Sequence, residues 1–265
     1  MKLDRFFAKH PVFTVEEFDE YLGKHNLYTR NALLTHHRKS GRIMAIRRGL
    51  YAVVPPGSSP ESTRVDLFLL ASKMTADAVL GYHTALEFHG KAYSVFNKLY
   101  YLSDRKSQPV QFRSYEFISV LIPKAIRGHP EELFGLENYE RLGIDIRATN
   151  LERTFVDVMD RPDISGGWEE IWRSLESVEY FKLDEVVEYA LLLGNATTAS
   201  KVGFYLDQHR SELHVKDSQL DRLRNLRPRQ PHYLDRNNRK GGQLVAAWNL
   251  VVPETVLNHT WEEVT

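Results

Sequence analysis

The first 54 residues contain two helical patterns of apolar positions. Four apolar residues recur at helical spacing after a capping threonine: Val15, Phe18, Tyr21 and Leu22. Thr14 therefore predicts the start of one helix and Gly23 its end. A second helix is predicted over residues 30–40, with Thr29 as its cap and Gly41 as a left-handed stop.

Two short apolar runs, residues 43–46 and 50–54, follow these helices and predict a β-hairpin. The turn between the runs holds Arg47, Arg48 and Gly49. Helix, turn, helix and hairpin is the order of a winged helix-turn-helix, a DNA-binding fold whose second helix enters the major groove.

The longer remainder mixes helical and strand patterns. Helices are predicted within residues 63–74, 78–90, 168–178, 183–194 and 198–209. Strands are predicted at 98–103, 110–117, 118–123, 144–149 and 243–253. Thr149 and Glu152 have the spacing of a capping box, which predicts a further helix that stops at Arg161-Pro162. The body is therefore predicted to be α+β, and mostly helical in its later half.

A proline- and serine-rich stretch, "PPGSSPEST" at residues 55–63, interrupts all apolar periodicity. We interpret it as a linker between an N-terminal domain, residues 1–54, and a C-terminal domain, residues 64–265.

The charge of the chain is unevenly distributed, although the formal net charge is zero. Residues 1–54 hold ten Lys/Arg and five Asp/Glu, and the remainder is correspondingly acidic. Because Lys and Arg contacts with phosphate dominate affinity for nucleic acid, the basic head predicts duplex DNA as a partner.

The candidate DNA contacts lie on the second helix, just after it, and on the hairpin turn. They are Arg30, Asn31, Thr35, Arg38, Lys39, Arg42, Arg47 and Arg48. Leu33, Leu34 and His37 form the apolar side of the same helix. Adjacent histidines, such as His36 and His37, point about 100° apart and are poor co-ligands, so no metal site is predicted.

Composition excludes several other classes of protein. The chain has no cysteine and no apolar run long enough to cross a bilayer, and we expect no signal peptide and a cytoplasmic location. The usual hydrolase, NTPase, dehydrogenase and metallopeptidase motifs are absent, so we expect no enzyme and no cofactor. A metal-dependent nuclease is an alternative that rests on Asp104, Lys106 and Glu116.

Four segments in order along the chain carry a family resemblance. They are "SGRIMAIRRGLYAVVP" (40–55), "VLGYHTALEFHG" (79–90), "ATNLERTFVDVMDRP" (148–162) with the following Gly166-Gly167, and "AWNL" (247–250). Together they resemble the AbiEi family of type IV antitoxins, which are transcriptional regulators of bacterial toxin–antitoxin operons. Residues 184–239 contain no motif that is diagnostic of this family.

The resemblance implies a winged-helix head that represses its own promoter. It also implies an antitoxin body that counteracts a nucleotidyltransferase-like toxin, as a second partner besides DNA. For the motif residues Glu152, Arg153, Thr154 and Asp157 we predict a fold-stabilising cap and ion pair rather than a site. A repressor whose body senses a small ligand remains an alternative.

A second basic segment, residues 221–242, stands out in the acidic body. Its cations are Arg222, Arg224, Arg227, Arg229, Arg236, Arg239 and Lys240. Because Pro228 interrupts helical geometry, we expect an irregular basic loop that either makes a second contact with a polyanion or is solvated surface.

Overall fold

The computed structural model describes residues 2–23, 27–236 and 241–261. The chain forms two compact units. The first comprises Met1–Leu80, Asn97–Val120 and Asn138–Arg147, and the second Gly81–Phe96, Leu121–Glu137 and Ala148–Thr265. Helices and strands are mixed throughout, and the α+β class is confirmed.

The N-terminal part of the first unit has three helices and three strands. In order they are α1 (Lys2–Lys9), β1 (Val12–Thr14), α2 (Val15–Leu22), α3 (Leu27–Lys39), β2 (Ile43–Arg47) and β3 (Leu50–Val53). The strands form an antiparallel sheet in the order β1-β3-β2. The sequence analysis did not predict α1 or β1.

Aromatic side chains hold these elements together. Phe6 and Phe7 of α1, Phe13 of β1 and Phe18 of α2 are buried against one another, with ring centroids 5.2–6.4 Å apart. Leu34 of α3 packs into the same cluster. Burial of each phenylalanine contributes about 1.5–3 kcal/mol, which compensates for the small size of the individual elements.

The predicted start of α2 is confirmed. The Thr14 hydroxyl accepts from the backbone N–H of Glu17 at 3.2 Å, and the Glu17 carboxylate accepts from the N–H of Thr14 at 2.7 Å. This reciprocal capping satisfies two backbone donors that a helix start leaves free.

A six-stranded sheet fills most of the remaining first unit. Its elements, with a preceding helix, are α4 (Leu67–Ser72), β4 (Val79–Leu80), β5 (Lys98–Ser103), β6 (Val110–Phe112), β7 (Tyr115–Leu121), β8 (Leu136–Arg141) and β9 (Ile144–Thr149). The strand order is β6-β7-β5-β4-β9-β8. Residues 110–117 form a hairpin rather than the predicted single strand, because Arg113 adopts a left-handed φ of 55°.

The proposed linker has neither helix nor strand. It is nevertheless anchored within the first unit, because the Arg113 guanidinium donates to the carbonyls of Thr63 at 2.8 Å and Pro60 at 2.6 Å. The segment lies inside the first compact unit and does not mark the boundary between the two units. The division into domains 1–54 and 64–265 stays a prediction.

The second unit is mainly helical. Its helices are α5 (Tyr82–Phe88), α6 (Leu151–Asp160), α7 (Gly167–Glu176), α8 (Leu183–Leu192), α9 (Ala196–Gln208), α10 (Asp217–Leu226) and α11 (Glu254–Leu257), with a 3-10 turn at Pro162–Ile164. Its short strands are β10 (His232–Tyr233), β11 (Gly242–Val245) and β12 (Leu250–Pro253). They form a sheet in the order β10-β12-β11. Phe155, Trp172, Tyr205 and Trp248 are buried in its core.

One strand prediction and one helix prediction are wrong. Residues 243–253 form the hairpin β11–β12 rather than one strand, with Asn249 at a φ of 46° beside β12. Residues 78–90 begin with β4, and only after Gly81 does α5 start.

The capping box predicted at Thr149 is also wrong. Asn150 is the cap, since its side-chain oxygen accepts from the N–H of Arg153 at 2.9 Å. The Thr149 hydroxyl instead bonds the Thr154 hydroxyl at 2.7 Å. Glu152 accepts from the N–H of Lys182 at 3.0 Å and so fixes the chain before α8. Asparagine is at least as good a cap as threonine, so spacing alone chose the wrong residue.

Candidate nucleic-acid interface

Helix α3 presents one polar face to solvent. Asn31, Thr35, Arg38 and Lys39 are exposed, as are Ala32 and His36. The opposite side carries Leu34 and His37, which are buried. This division agrees with the predicted wheel, in which Leu33, Leu34 and His37 face inward.

His37 is a packing residue. Its ring lies edge-on to Phe7, with centroids 5.1 Å apart. Burial lowers the pKa of His37, and the nearby Arg42 charge lowers it further. The neutral imidazole therefore belongs to the core and adds no charge to the exposed face.

The helix begins earlier than the sequence indicated. Leu27 and Tyr28 are already helical, so Thr29 lies inside the first turn and is not the cap. Both preceding side chains are exposed, Leu27 to 66% and Tyr28 to 83%. The candidate set missed them because it started at Arg30.

Four of the eight candidate side chains are engaged within the protein, and one of them is Asn31, whose side-chain oxygen accepts from the Nε of Arg30 at 3.1 Å. The Arg30 guanidinium binds the Asp19 carboxylate at 2.6 Å, which ties α3 to α2. Arg42 pairs with Asp4 at 2.5 Å and stacks over the Phe7 ring at 5.2 Å. Arg47 donates to the backbone carbonyls of Met74 and Arg48.

The two arginines of the hairpin turn differ in exposure. Arg48 is exposed, whereas Arg47 is half-buried and lies on β2 beyond a bulge at Ala45. Gly49 has a φ of 81°, a conformation that glycine adopts at little cost. Its carbonyl accepts from the N–H of Val15 at 2.9 Å, so the turn is fixed to the start of α2.

Five candidates offer exposed groups on this surface: Thr35, Arg38, Lys39, Arg48, and Asn31, whose side-chain oxygen already accepts from Arg30. A depression of about 110 Å³, lined by Asn31, Leu34, Thr35, Arg38 and Tyr51, lies along the polar face of α3. Residues 27–54 contain six Lys/Arg and no Asp or Glu. The surface therefore combines cations that suit phosphate with amide and hydroxyl groups that suit base edges.

The second basic segment is more ordered than predicted. Residues 217–226 form α10, so Arg222 and Arg224 are helical, and the expectation of an irregular loop is wrong there. Arg227 ends the helix, and Pro228, which seemed to argue against a helix, follows its end. Arg239 and Lys240 lie outside the described residues.

Within the described part of this segment, Arg224 and Arg227 contact identified groups of the protein. Arg224 binds Asp221 at 2.8 Å and lies over the Trp248 ring at 5.1 Å. Arg227 donates to the carbonyl of Ala247 at 2.6 Å. Arg222, Arg229 and Arg236 are exposed. The structure thus places part of the cluster in the fold and part at the surface.

The motif of residues 152–157 is buried structure. Arg153 lies at 3.4 Å from Asp157 and donates to the carbonyl of Phe134 at 2.7 Å. The Tyr189 hydroxyl donates to Asp157 at 2.8 Å. Burial raises the pKa of Asp157 to about 6, although the Arg153 charge opposes this shift. The predicted ion pair is present, while the predicted cap is not.

The two histidines near α5 have separate partners. His83 lies 2.9 Å from Glu87 and 3.0 Å from Glu170, and His89 contacts the carbonyl of Thr149 at 2.7 Å. Burial lowers the pKa of His83, but the bonds to the two carboxylates outweigh it, and the pKa lies above the usual value. At Glu170, hydrogen bonds from His83 and Ser94 overcome the effect of burial and lower the pKa to about 2.

The nuclease candidates are not gathered into a metal site. Asp104 is exposed, and its N–H donates to the Asp77 carboxylate at 2.6 Å. The Ser103 hydroxyl also donates to Asp77. Across residues 2–23, 27–236 and 241–261, no three His, Asp or Glu side chains are grouped as metal ligands.

Comparison with known proteins finds a family match for the N-terminal segment. Residues 1–54 match the family described as "Transcriptional regulator, AbiEi antitoxin". The AbiEi family resemblance is thus confirmed over this segment.

Among the solved structures that match this chain, we describe one that is similar over nearly its whole length. It is the RV2827C protein from Mycobacterium tuberculosis, with a TM-score of 0.61 and 17% sequence identity, covering 97% of this chain and 91% of that one. This likeness concerns the fold alone. No curated protein matches the chain. None of the helices described here has the length and apolarity needed to cross a bilayer.

Proposed function

We propose that the protein is the antitoxin of a type IV toxin–antitoxin system that binds and represses its own promoter. In this proposal it acts in the cytoplasm, has no enzymatic activity, and counteracts a nucleotidyltransferase-like toxin. The observation that carries the DNA-binding half is the exposed polar face of α3 followed by the hairpin turn, in a segment, residues 27–54, that contains no Asp or Glu and lies within the match to the regulator family.

In this proposal, residues 1–54 act as a winged helix-turn-helix. The polar face of α3 enters the major groove, and the β2–β3 hairpin is the wing. Asn31 and Thr35 are placed to meet base edges, because amide and hydroxyl groups both donate and accept. Arg38, Lys39 and Arg48 bind phosphate.

Arg30, Arg42 and Arg47 take a different part in the proposed complex. Their contacts with Asp19, Asp4 and the Met74 carbonyl fix α3 and the hairpin in place. They orient the DNA-binding surface rather than supply its free charge. Arg222 and Arg229 remain the proposed second polyanion contact, because they keep their charge at the surface.

The antitoxin half of the proposal rests on the family of residues 1–54. Its test is co-expression of the full chain with the toxin gene encoded beside it. Rescue of growth by a variant that no longer represses would show that neutralisation is separate from promoter control. Failure to rescue at any expression level would remove the antitoxin function.

The DNA-binding half is tested with the full chain and a duplex covering the region upstream of its gene. We expect tighter binding than to a random duplex of the same length, and a steep decrease in affinity with salt. Equal affinity for both duplexes at all salt concentrations would contradict a promoter-specific regulator.

A further inference from the structure

The exposed face of α3 extends one turn beyond the residues assigned to DNA above. Tyr28, Asn31, Thr35 and Arg38 are separated by three, four and three positions, so they form one stripe along the helix. Thr35 lies near the middle of this stripe, and Tyr28 lies at its N-terminal end.

Tyr28 is not explained by packing. Its side chain is 83% exposed, and it makes no hydrogen bond or ring contact with any other residue that the structure describes. A single exposed tyrosine is ordinary on a protein surface. Its position on the same stripe as the polar residues of the proposed DNA-binding face is what gives it significance.

The first turn of α3 is held in place on its other side. Arg30, two positions after Tyr28, binds Asp19 of α2 at 2.6 Å, and Leu34 one turn later is buried in the aromatic cluster. The Tyr28 backbone is therefore fixed before any ligand binds, which lowers the entropic cost of a contact.

The surroundings of Tyr28 suit a close approach to DNA. No acidic residue occurs between Leu27 and Val54, and Asp19 of α2, which meets the first turn of α3, is paired with Arg30. Ala32, one turn along, is exposed and small, and it leaves room for the helix to enter a groove. Recognition helices contact base edges mainly through their N-terminal residues.

We propose that Tyr28 is a specificity-determining residue that packs its ring against the 5-methyl group of a thymine in the major groove. Thymine is the only base that presents a methyl group there, and aromatic side chains contact it favourably. This inference rests on the proposed DNA-binding function, and it adds a residue and a base to it.

The test uses the full chain and a duplex enriched by selection for tight binding. Each thymine of the duplex is replaced in turn by uracil, which removes only the methyl group. For the wild type we expect one replacement to weaken binding roughly fourfold, the value for losing contact with one buried methyl. Y28F should keep this sensitivity, and Y28A should lose it together with affinity. Y180A is the matched control, since Tyr180 is 74% exposed in the second unit.

The outcomes separate the inference from the function on which it rests. If the wild type selects no duplex, the proposed regulator function fails, and the inference fails with it. If the wild type selects a sequence but Y28A shows the same affinity and the same response to uracil, only the inference is overturned. Equal losses for Y28A and Y180A would also overturn it, because the effect would not depend on α3.

Discussion

Residues 1–54 and the second unit contain positive charges in contrasting environments, although each region has both paired and exposed cations. In the first segment, Arg38, Lys39 and Arg48 face solvent, and the buried His37 has a lowered pKa. In the second unit, Arg153 is completely buried and His83 lies between two carboxylates. A count of cations along the sequence cannot show this difference, because it depends on which charges find an internal partner. A basic run indicates an interface only where its charges remain unpaired.

The largest expected effect comes from a buried cation of the second unit. Arg153→Met should lower the free energy of unfolding by about 3–5 kcal/mol, because Asp157 would lose its buried partner. Urea denaturation measures this loss. Replacing Asp157 with Asn in the same chain should recover part of it, since no buried charge then remains. A loss below about 1 kcal/mol would mean that the pair is not important for stability.

Removal of the outward charges should affect binding and leave stability nearly unchanged. Replacing Arg38, Lys39 and Arg48 by Ala should lower the slope of log K against log salt by about 2.7, or about 0.9 for each lost phosphate contact. Fluorescence anisotropy over a salt series measures the slope. The control variant removes Arg105, Lys106 and Lys124, three exposed cations outside residues 1–54. Equal changes in both variants would contradict a localised interface.

The segment 222–229 contains both kinds of cation and can be divided by mutation. Arg224→Ala should cost about 1–2 kcal/mol of stability, because it removes the contacts with Asp221 and the Trp248 ring, and it should not change the salt slope. Replacing Arg222 and Arg229 together should do the reverse and lower the slope by up to about 1.8. An unchanged slope in the double variant would assign these two arginines to solvated surface.

The sequence predicted those parts of the fold in which local signals and packing agree. The Thr14 cap and the pattern from Val15 to Leu22 located α2 correctly. The hairpin of β2 and β3 was evident from two apolar runs around Arg48-Gly49.

The sequence prediction was wrong where the local signals for the start or end of a helix were missing or ambiguous. The start of α3 was misplaced because Leu27 and Tyr28 are exposed there and add nothing to an apolar period. At α6, adjacent Thr149 and Asn150 could both cap, and the hydroxyl of Thr149 is taken by Thr154. At α10, Pro228 suggested disruption but lies beyond the last helical residue.

For the candidate site, the sequence predicted which positions of α3 are exposed, but it did not predict which of the arginines have partners within the protein. Exposed positions on α3 follow from the helical wheel, which placed Asn31, Thr35, Arg38 and Lys39 on the polar side. The engagement of Arg30 with Asp19 and of Arg47 with Met74 could not be predicted, because each is a tertiary contact between two different elements of the fold.

The smallest expected effect concerns two buried histidines, His37 in residues 1–54 and His83 in the second unit. Their contributions to the stability of the fold should change with pH in opposite directions. His37 has a lowered pKa in the folded chain, so the unfolded chain binds more protons below about pH 6.5, and stability decreases as pH falls through that window. His83 has a raised pKa, so its contribution is complete below about pH 6.5 and is lost as pH rises through the folded value. Urea midpoints of wild type, His37→Gln and His83→Gln from pH 5.5 to 8.5 measure both effects, each at most about 1.4 kcal/mol per unit of pKa shift. On acidification, the wild type should lose stability relative to His37→Gln and gain it relative to His83→Gln. The same sign for both stability differences would contradict the contrast. It would mean that folding shifts the pKa values of His37 and His83 in the same direction.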